Sequence, residues 1–209
     1  MRHARSEKKT ETRERIIQAA KDVFAEQGFA GARVDEIASR AGVNKAALYY
    51  HIGDKQALYA EVLHSVIGTN ARRLAADMEA LSDPEEKFRS YFTTLAEAIG
   101  RNPQMPRIMM REMASDGINL PDVFFQDLDM VLKIVTDMIE EGVKRGVFID
   151  TIPIGVHLIV ISALIFLQVC GPIFLGHPKA PKSLKKMDKA FLPLAAQELE
   201  QFILRALKR

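Results

Sequence analysis

The stretch from Val34 to Lys55, VDEIASRAGVNKAALYYHIGDK, constrains this chain more than any other. Within it Val34, Ile37, Ala38 and Ala41 recur at i, i+3, i+4 and i+7, which predicts a short helix with one apolar face. Gly42 stands where that helix must end in a left-handed conformation, which glycine adopts without a Cβ penalty. Val43 plugs the corner, and Asn44 is a good N-cap for a second helix. That helix, about Lys45 to Ile52, turns Leu48 and Ile52 inward and leaves Lys45, Ala46, Tyr49, Tyr50 and His51 on or near the outer face. Gly53 ends it, and Asp54 caps a further helix beginning at Lys55. Two helices joined by such a turn form a helix-turn-helix, whose second member is built to enter the DNA major groove.

These residues carry a family resemblance. The string from the amphipathic segment Thr12–Gly28, through Phe29, Val34–Ala41, Gly42-Val43, Leu48-Tyr49-Tyr50-His51 and Asp54-Lys55 to Leu58 resembles the TetR (tetracycline-repressor) family of transcriptional regulators. The match covers the first third of the chain. Two departures stand out. The family often has Thr-Thr where this chain has Arg33-Val34, so a usual capping and phosphate-contacting hydroxyl is missing. It often has Ser-Lys-Gly-Thr where this chain has Asn44-Lys45-Ala46-Ala47. The resemblance implies that Lys45, Ala46 and Tyr50 read bases while Tyr49, His51 and Lys55 hold phosphates. Arg33, Val34, Asn44 and Ala47 complete the expected DNA-facing set.

A chain of 209 residues fits one or two domains, and 48% hydrophobic with 27% charged residues is ordinary for a folded protein. The net charge of +2 says little about nucleic acid, so the distribution of charge matters more. Arg2, Arg5, Lys8, Lys9, Arg13 and Arg15 outnumber Glu7, Glu11 and Glu14 in the first residues, an arm suited to phosphates. Residues 1–8 read equally well as a solvated terminus. The single cysteine, Cys170, excludes an internal disulfide, fits a reducing compartment and reads as a small buried hydrophobe. The opening MRHARSEKKTE has no apolar core for a secretory signal, and a cytoplasmic location is expected.

Stop signals divide the rest into helices. Helix 1 is expected over about 10–27 and helix 4 over about 55–80. Ser82-Asp83-Pro84-Glu85-Glu86 supplies a cap, a first-turn proline and acids at the positive dipole end for helix 5. Asn102-Pro103 opens helix 6, which ends at Asp116-Gly117. Helix 7 runs from about Pro121 to Lys144-Arg145, and helix 8 starts near Thr151-Ile152-Pro153. Ser183 can cap a helix that Pro193 kinks or divides, and the last piece is about 194–207. No segment alternates with period two, so the fold class is all-α. The expected organisation is an N-terminal arm and three-helix helix-turn-helix head (1–54), a connecting helix (55–82), and a C-terminal bundle for ligand binding and dimerisation (83–209).

Thr151 to Pro178 contains no Asp, Glu, Lys or Arg, and its heart is long enough to span a bilayer. A membrane-anchored regulator using 152–175 is therefore the alternative reading. His157, Ser162 and Gln168 fall inside the segment, and Gly171-Pro172 is expected to break it. A helix buried by its own fold on one side and a partner subunit on the other has the same all-round apolar character. The dimer reading, without membrane, assigns Leu164, Leu167, Leu199, Phe202, Ile203 and Ala206 to the interface.

A ligand is expected among the soft and aromatic side chains of helices 6 to 8: Met109, Met110, Met113, Phe124, Phe125, Met130 and Phe166, with His157 and Gln168 as polar contacts. Each methionine taken singly reads more readily as ordinary core, and a lone His on an apolar helix is more often hydrogen-bonded structure. Arg111 and Glu112 are further polar candidates, about 100° apart on one helix, with at least one expected to face solvent. Glu61 and His64 share an i, i+3 relation, but without a second such pair they read as a solvated face. No cofactor, metal site or catalytic constellation is expected, so the chain does not read as an enzyme. The expected partners are an inverted-repeat DNA operator, a small, largely apolar effector and a second copy of the chain, acting together as a repressor that the effector releases.

Overall fold

The computed structural model describes residues 2–181 and 191–209, and among them nine helices. These are α1 (Arg2–Gly31), α2 (Val34–Arg40), α3 (Lys45–His51), α4 (Lys55–Ala80), α5 (Pro84–Arg101), α6 (Gln104–Ala114), α7 (Asp122–Lys144), α8 (Pro153–Gly176) and α9 (Phe191–Leu207). The only strand-like pairing among the described residues is an isolated antiparallel bridge between Phe148 and Lys208, which ties the C-terminus to the segment after α7. The all-α reading is correct.

Helix boundaries obey the expected signals with three exceptions. Helix α1 begins at Arg2 rather than near residue 10. Its first half is rich in Lys, Arg and Glu and has neither Gly nor Pro, so nothing local stops the helix. Gly28 does interrupt α1, with φ +71, but a further turn continues to Gly31. Helix α8 is not broken at Gly171-Pro172; it runs on to Gly176. Gly171 is buried, and a side chain there would overlap Leu192, so the glycine admits the close approach of α9. Pro193 lies near the beginning of α9, and the expected cap Ser183 falls outside the described residues.

The chain forms two compact units. The first comprises Met1–Gly68 with Arg107–Asp127, and the second Thr69–Pro106 with Leu128–Arg209. The division thus falls inside α4, α6 and α7.

In the first unit, Ile16, Ala20, Val23 and Phe24 of α1, Ile37 of α2, Leu48 of α3 and Leu58, Tyr59 and Val62 of α4 are all essentially inaccessible. Tyr59 meets Phe24 edge to face at 4.8 Å between ring centroids, a preferred aromatic geometry. In the second unit α5, α7, α8 and α9 share one apolar core. Phe88, Tyr91 and Phe92 meet Val135, Met138 and Ile139, Val156, Val160 and Leu164, and Ile203, Leu204 and Leu207. The spacing of three and four residues on each helix is what an inward stripe requires.

That core holds one buried polar pair. The Tyr91 hydroxyl lies 2.8 Å from Nδ1 of His157, and both side chains are buried. Burial holds the His157 pKa below its usual 6.5, because the charged ring has no access to water. The unfolded chain therefore binds the proton more readily than the fold, so stability is fully present above about pH 6.5 and falls as the pH drops below it. Thermal unfolding of the wild type and of His157→Gln, followed from pH 7.5 to 5.5, should show a steeper loss of Tm in the wild type. Parallel curves would mean that His157 takes up its proton in the fold without penalty.

Candidate nucleic-acid interface

The corner between α2 and α3 is built as its residues predict. Arg33 before α2 is extended and makes no side-chain cap, the counterpart of the missing hydroxyl; Asp35 and Glu36 instead occupy the first turn at the positive end of the dipole. Gly42 has φ +66, and the Val43 amide donates to the Ala38 carbonyl at 3.0 Å. Asn44 Oδ1 accepts from the Ala47 amide at 2.7 Å, and Asp54 Oδ1 accepts from Ala57 at 2.8 Å. Leu48 is the inward anchor of α3, fully buried, while Ile52 is half-buried.

This construction leaves Lys45, Ala46, Tyr49 and Tyr50 outward on one short helix, with Tyr50 74% exposed. Arg33 and Asn44 are exposed beside them; Val34, Ala47, His51 and Lys55 are half-buried. The His51 ring meets the Tyr50 ring edge-on at 5.3 Å, and its buried Nδ1 has no hydrogen-bond partner. Such a surface offers aromatic faces, a polar ring and cations, the groups that contact base edges and phosphates.

Three contacts at this surface have no signal in the sequence. Lys45 Nζ pairs with Asp35 Oδ1 at 2.9 Å, and that hydrogen bond holds the lysine above its ordinary pKa. Lys55 Nζ donates to the Ala30 carbonyl at 3.3 Å and lies 4.6 Å from the centre of the Phe29 ring, and burial lowers its pKa. Lys9 Nζ stands 5.5 Å from the centre of the Tyr50 ring. Each pairing joins residues on different elements, so no local pattern announces it.

The neighbours Arg111 and Glu112 grip this unit from α6. Arg111 donates to the carbonyls of Ala25 (3.0 Å) and Glu26 (2.6 Å), satisfying acceptors near the break in α1 at Gly28. Glu112 is buried and accepts from the Tyr59 hydroxyl at 2.8 Å and from the Asn119 amide at 3.3 Å. Burial, then the bond to Glu112, raises the Tyr59 pKa. As expected, one of the two neighbours faces solvent: Arg111 is exposed while its guanidinium holds α1, and Glu112 is buried.

The ligand candidates divide between the two units. Met109 and Phe124 are buried, but Met110, Met113 and Phe125 are exposed; all five belong to the first unit. Met130, His157, Phe166 and Gln168 belong to the second, where Met130 and Phe166 are exposed, Gln168 is half-buried and His157 is engaged by Tyr91. Among the interface candidates, Leu164 and Ile203 lie inside their own chain's core rather than on its surface. Helix α8 is apolar all round, so its residues carry no phase that separates inner from outer positions. Leu167 and Leu199 are half-buried, Ala206 is exposed, and Phe202 is 70% exposed. Cys170 is half-buried rather than enclosed. The pair expected on a solvated face is tied down: Glu61 bonds Arg13 at 2.6 Å, and His64 Nδ1 lies 2.8 Å from Asp127 Oδ2. No group of three metal-ligating side chains occurs among the described residues.

A capped helix-turn-helix with an exposed aromatic and basic second helix defines a DNA-binding regulator. The profile of bacterial regulatory proteins of the tetR family matches residues 16–62. The chain is 30% identical over 143 residues to the HTH-type transcriptional repressor SCO4008 of Streptomyces coelicolor, covering 68% of this chain and 70% of that one. It is 27% identical over 166 residues to the HTH-type transcriptional repressor NicS of Pseudomonas putida, covering 78% and 77%. In fold it matches the transcriptional regulator FadR of Bacillus subtilis, solved in complex with stearoyl-CoA, with a TM-score of 0.70 over 93% of this chain and 98% of that one at 15% identity. The chain belongs to the TetR family of bacterial transcriptional regulators.

Because α3 has seven residues, its N-cap carries a large share of its stability. Asn44→Ala should lower the thermal stability of the protein by about 1 kcal/mol, whereas Asn44→Asp, which keeps an acceptor, should stay close to the wild type. Equal unfolding curves for all three would show that the Ala47 amide does not need its partner.

Proposed function

We propose that the protein is a homodimeric, cytoplasmic repressor that binds an inverted-repeat operator and is released by a small, largely apolar effector. The exposed face of α3, held by the Asn44 cap and the Leu48 anchor, is the observation that carries the DNA reading. Lys45, Ala46 and Tyr50 meet bases; Arg33, Asn44, Tyr49, His51 and Lys55 lie along the backbone, with Val34 and Ala47 supporting the contact. Residues 1–54 then serve as the DNA-reading part, 55–82 as the connector and 83–209 as the effector-binding and dimerising part. The names of SCO4008 and NicS support repression, and the stearoyl-CoA complex of FadR supports an apolar effector. Arg111 and Glu112 supply the mechanical link. An effector that displaces α6 pulls on the end of α1 and on Tyr59 of α4, so it favours a form in which two heads no longer match two half-sites.

Dimerisation rests on α8 and α9. Helix α8 is long and apolar enough to cross a membrane, yet only 17% of its most apolar window is buried within one chain. Ile154, Leu158, Phe166 and Ile173 form an exposed stripe along it, and Leu194 and Phe202 are exposed on α9. A second copy covering both stripes removes apolar area that a soluble monomer does not tolerate. The opposite side of α8 already packs on α5 and α9 through Val156, Val160 and Leu164, which favours the subunit over a bilayer as its cover.

Two measurements test this reading. Lys55→Ala should weaken binding to operator and random DNA about equally and reduce the salt dependence by roughly one log–log unit. An unchanged slope would leave Lys55 as a cap on α1 alone. Phe202→Glu, at a position outside the chain's own core, should give a folded monomer with much weaker operator binding. A wild type that sediments without detergent as a 23.4 kDa monomer, yet binds an inverted repeat tightly, would overturn the dimer; a need for detergent would restore the membrane reading.

A further inference from the structure

The segment shared with the family begins at residue 16, yet α1 runs back to Arg2, so Lys9 lies ahead of the common helix-turn-helix frame. Its ammonium stands over the Tyr50 ring, 5.5 Å from the centroid and within cation–π range. Tyr50 is the most exposed aromatic of α3, at 74%, and a tyrosine that open to water has little packing to select among its staggered rotamers. Two contacts do so here: the edge-on ring of His51, whose imidazole is itself partly buried, and the Lys9 ammonium over the face.

We propose that Lys9 is a positioning residue for Tyr50, and that by fixing the ring's orientation it sets the base preference at the pair Tyr50 meets. The inference rests on the reading that Tyr50 touches a base. An ammonium has three donors, so Lys9 can keep one side toward the ring while another reaches a phosphate of the same groove wall. The phosphate contact then draws Lys9 toward the duplex with the ring already oriented beneath it. A lysine acting only through phosphate would raise affinity for every sequence alike. A lysine acting through Tyr50 changes the ratio between sequences.

The full-length protein can select its own operator from random duplexes, and each base pair of the half-site can then be changed in turn at fixed salt. Tyr50→Ala should flatten the preference at one base pair. Lys9→Ala and Lys9→Gln should narrow the preference at that same pair by about 2- to 5-fold, the range of an exposed cation–π contact. Lys9→Arg, which keeps a cation able to lie over the ring, should retain it. In a Tyr50→Ala background, Lys9→Ala should leave the ratios between sequences unchanged while still lowering affinity for all of them. Circular dichroism confirms that each variant is folded. If Tyr50→Ala alters the preference but Lys9→Ala and Lys9→Gln do not, or alter it at a different pair, the positioning role is overturned and the base-reading role of Tyr50 survives. If Tyr50→Ala leaves every ratio unchanged, the base-reading role fails and the positioning role falls with it.

Discussion

A seven-residue helix does not hold itself together in water, because nucleation fixes several residues for each hydrogen bond gained. Helix α3 exists because its surroundings make it: Leu48 is buried completely on its inner side, Asn44 satisfies an amide at its start, and Gly42 turns the chain at a positive φ that other residues resist. Every outward group on α3 depends on that arrangement. Tyr49, Tyr50 and Lys45 project together only because Leu48 fixes the rotation of the helix about its own axis. The outward surface of α3 is thus a consequence of one buried leucine, one polar cap and one glycine turn.

The cations around that surface are already engaged in the free protein. Lys45 pairs with Asp35, Lys55 with the end of α1, and Arg40 bonds both Glu26 and Glu36; hydrogen bonds hold both carboxylates below their ordinary pKa, from Arg40 at Glu26 and from Gln27 and then Arg40 at Glu36. Exposed pairs of this kind contribute little to stability, because water and salt screen both charges. On the proposed reading, exchanging Asp35 for a phosphate would cost Lys45 little. If Lys45 faces DNA as proposed, the acid beside it would also weaken attraction to phosphates in general and so favour ratios between sequences over raw affinity.

How much of this architecture is legible in the sequence depends on which interactions are local. Caps and stops are written within a few residues of where they act, so Asn44, Asp83-Pro84 and the glycines at 42 and 53 mark helix ends correctly. The inward stripes of α5 and α7 are equally open to a 3.6-residue period. Glu112 is not: its bond to Tyr59 crosses 53 positions, and its neighbour Arg111 reaches α1 from still further away. Helix α8 resists such reading for a different reason. An all-apolar sequence carries no phase, so Leu164 and Phe166 look alike until packing sends one inward and leaves the other exposed.

Each compact unit carries a buried tyrosine hydroxyl bonded to a buried side chain, Tyr59 with Glu112 in the first and Tyr91 with His157 in the second. Apolar side chains of similar size can slide past one another with little change in energy, whereas a buried donor without its acceptor costs about 1–3 kcal/mol. These two bonds therefore select one register among several that the apolar contacts alone would tolerate. They differ in what they join. Tyr91 and His157 bind α5 to α8 within the core that supports the exposed apolar stripe, so they fix the surface on which a second subunit would sit. Tyr59 and Glu112 bind α4 to α6 beneath the DNA-binding helices, and Asn119 extends that linkage into the turn between α6 and α7.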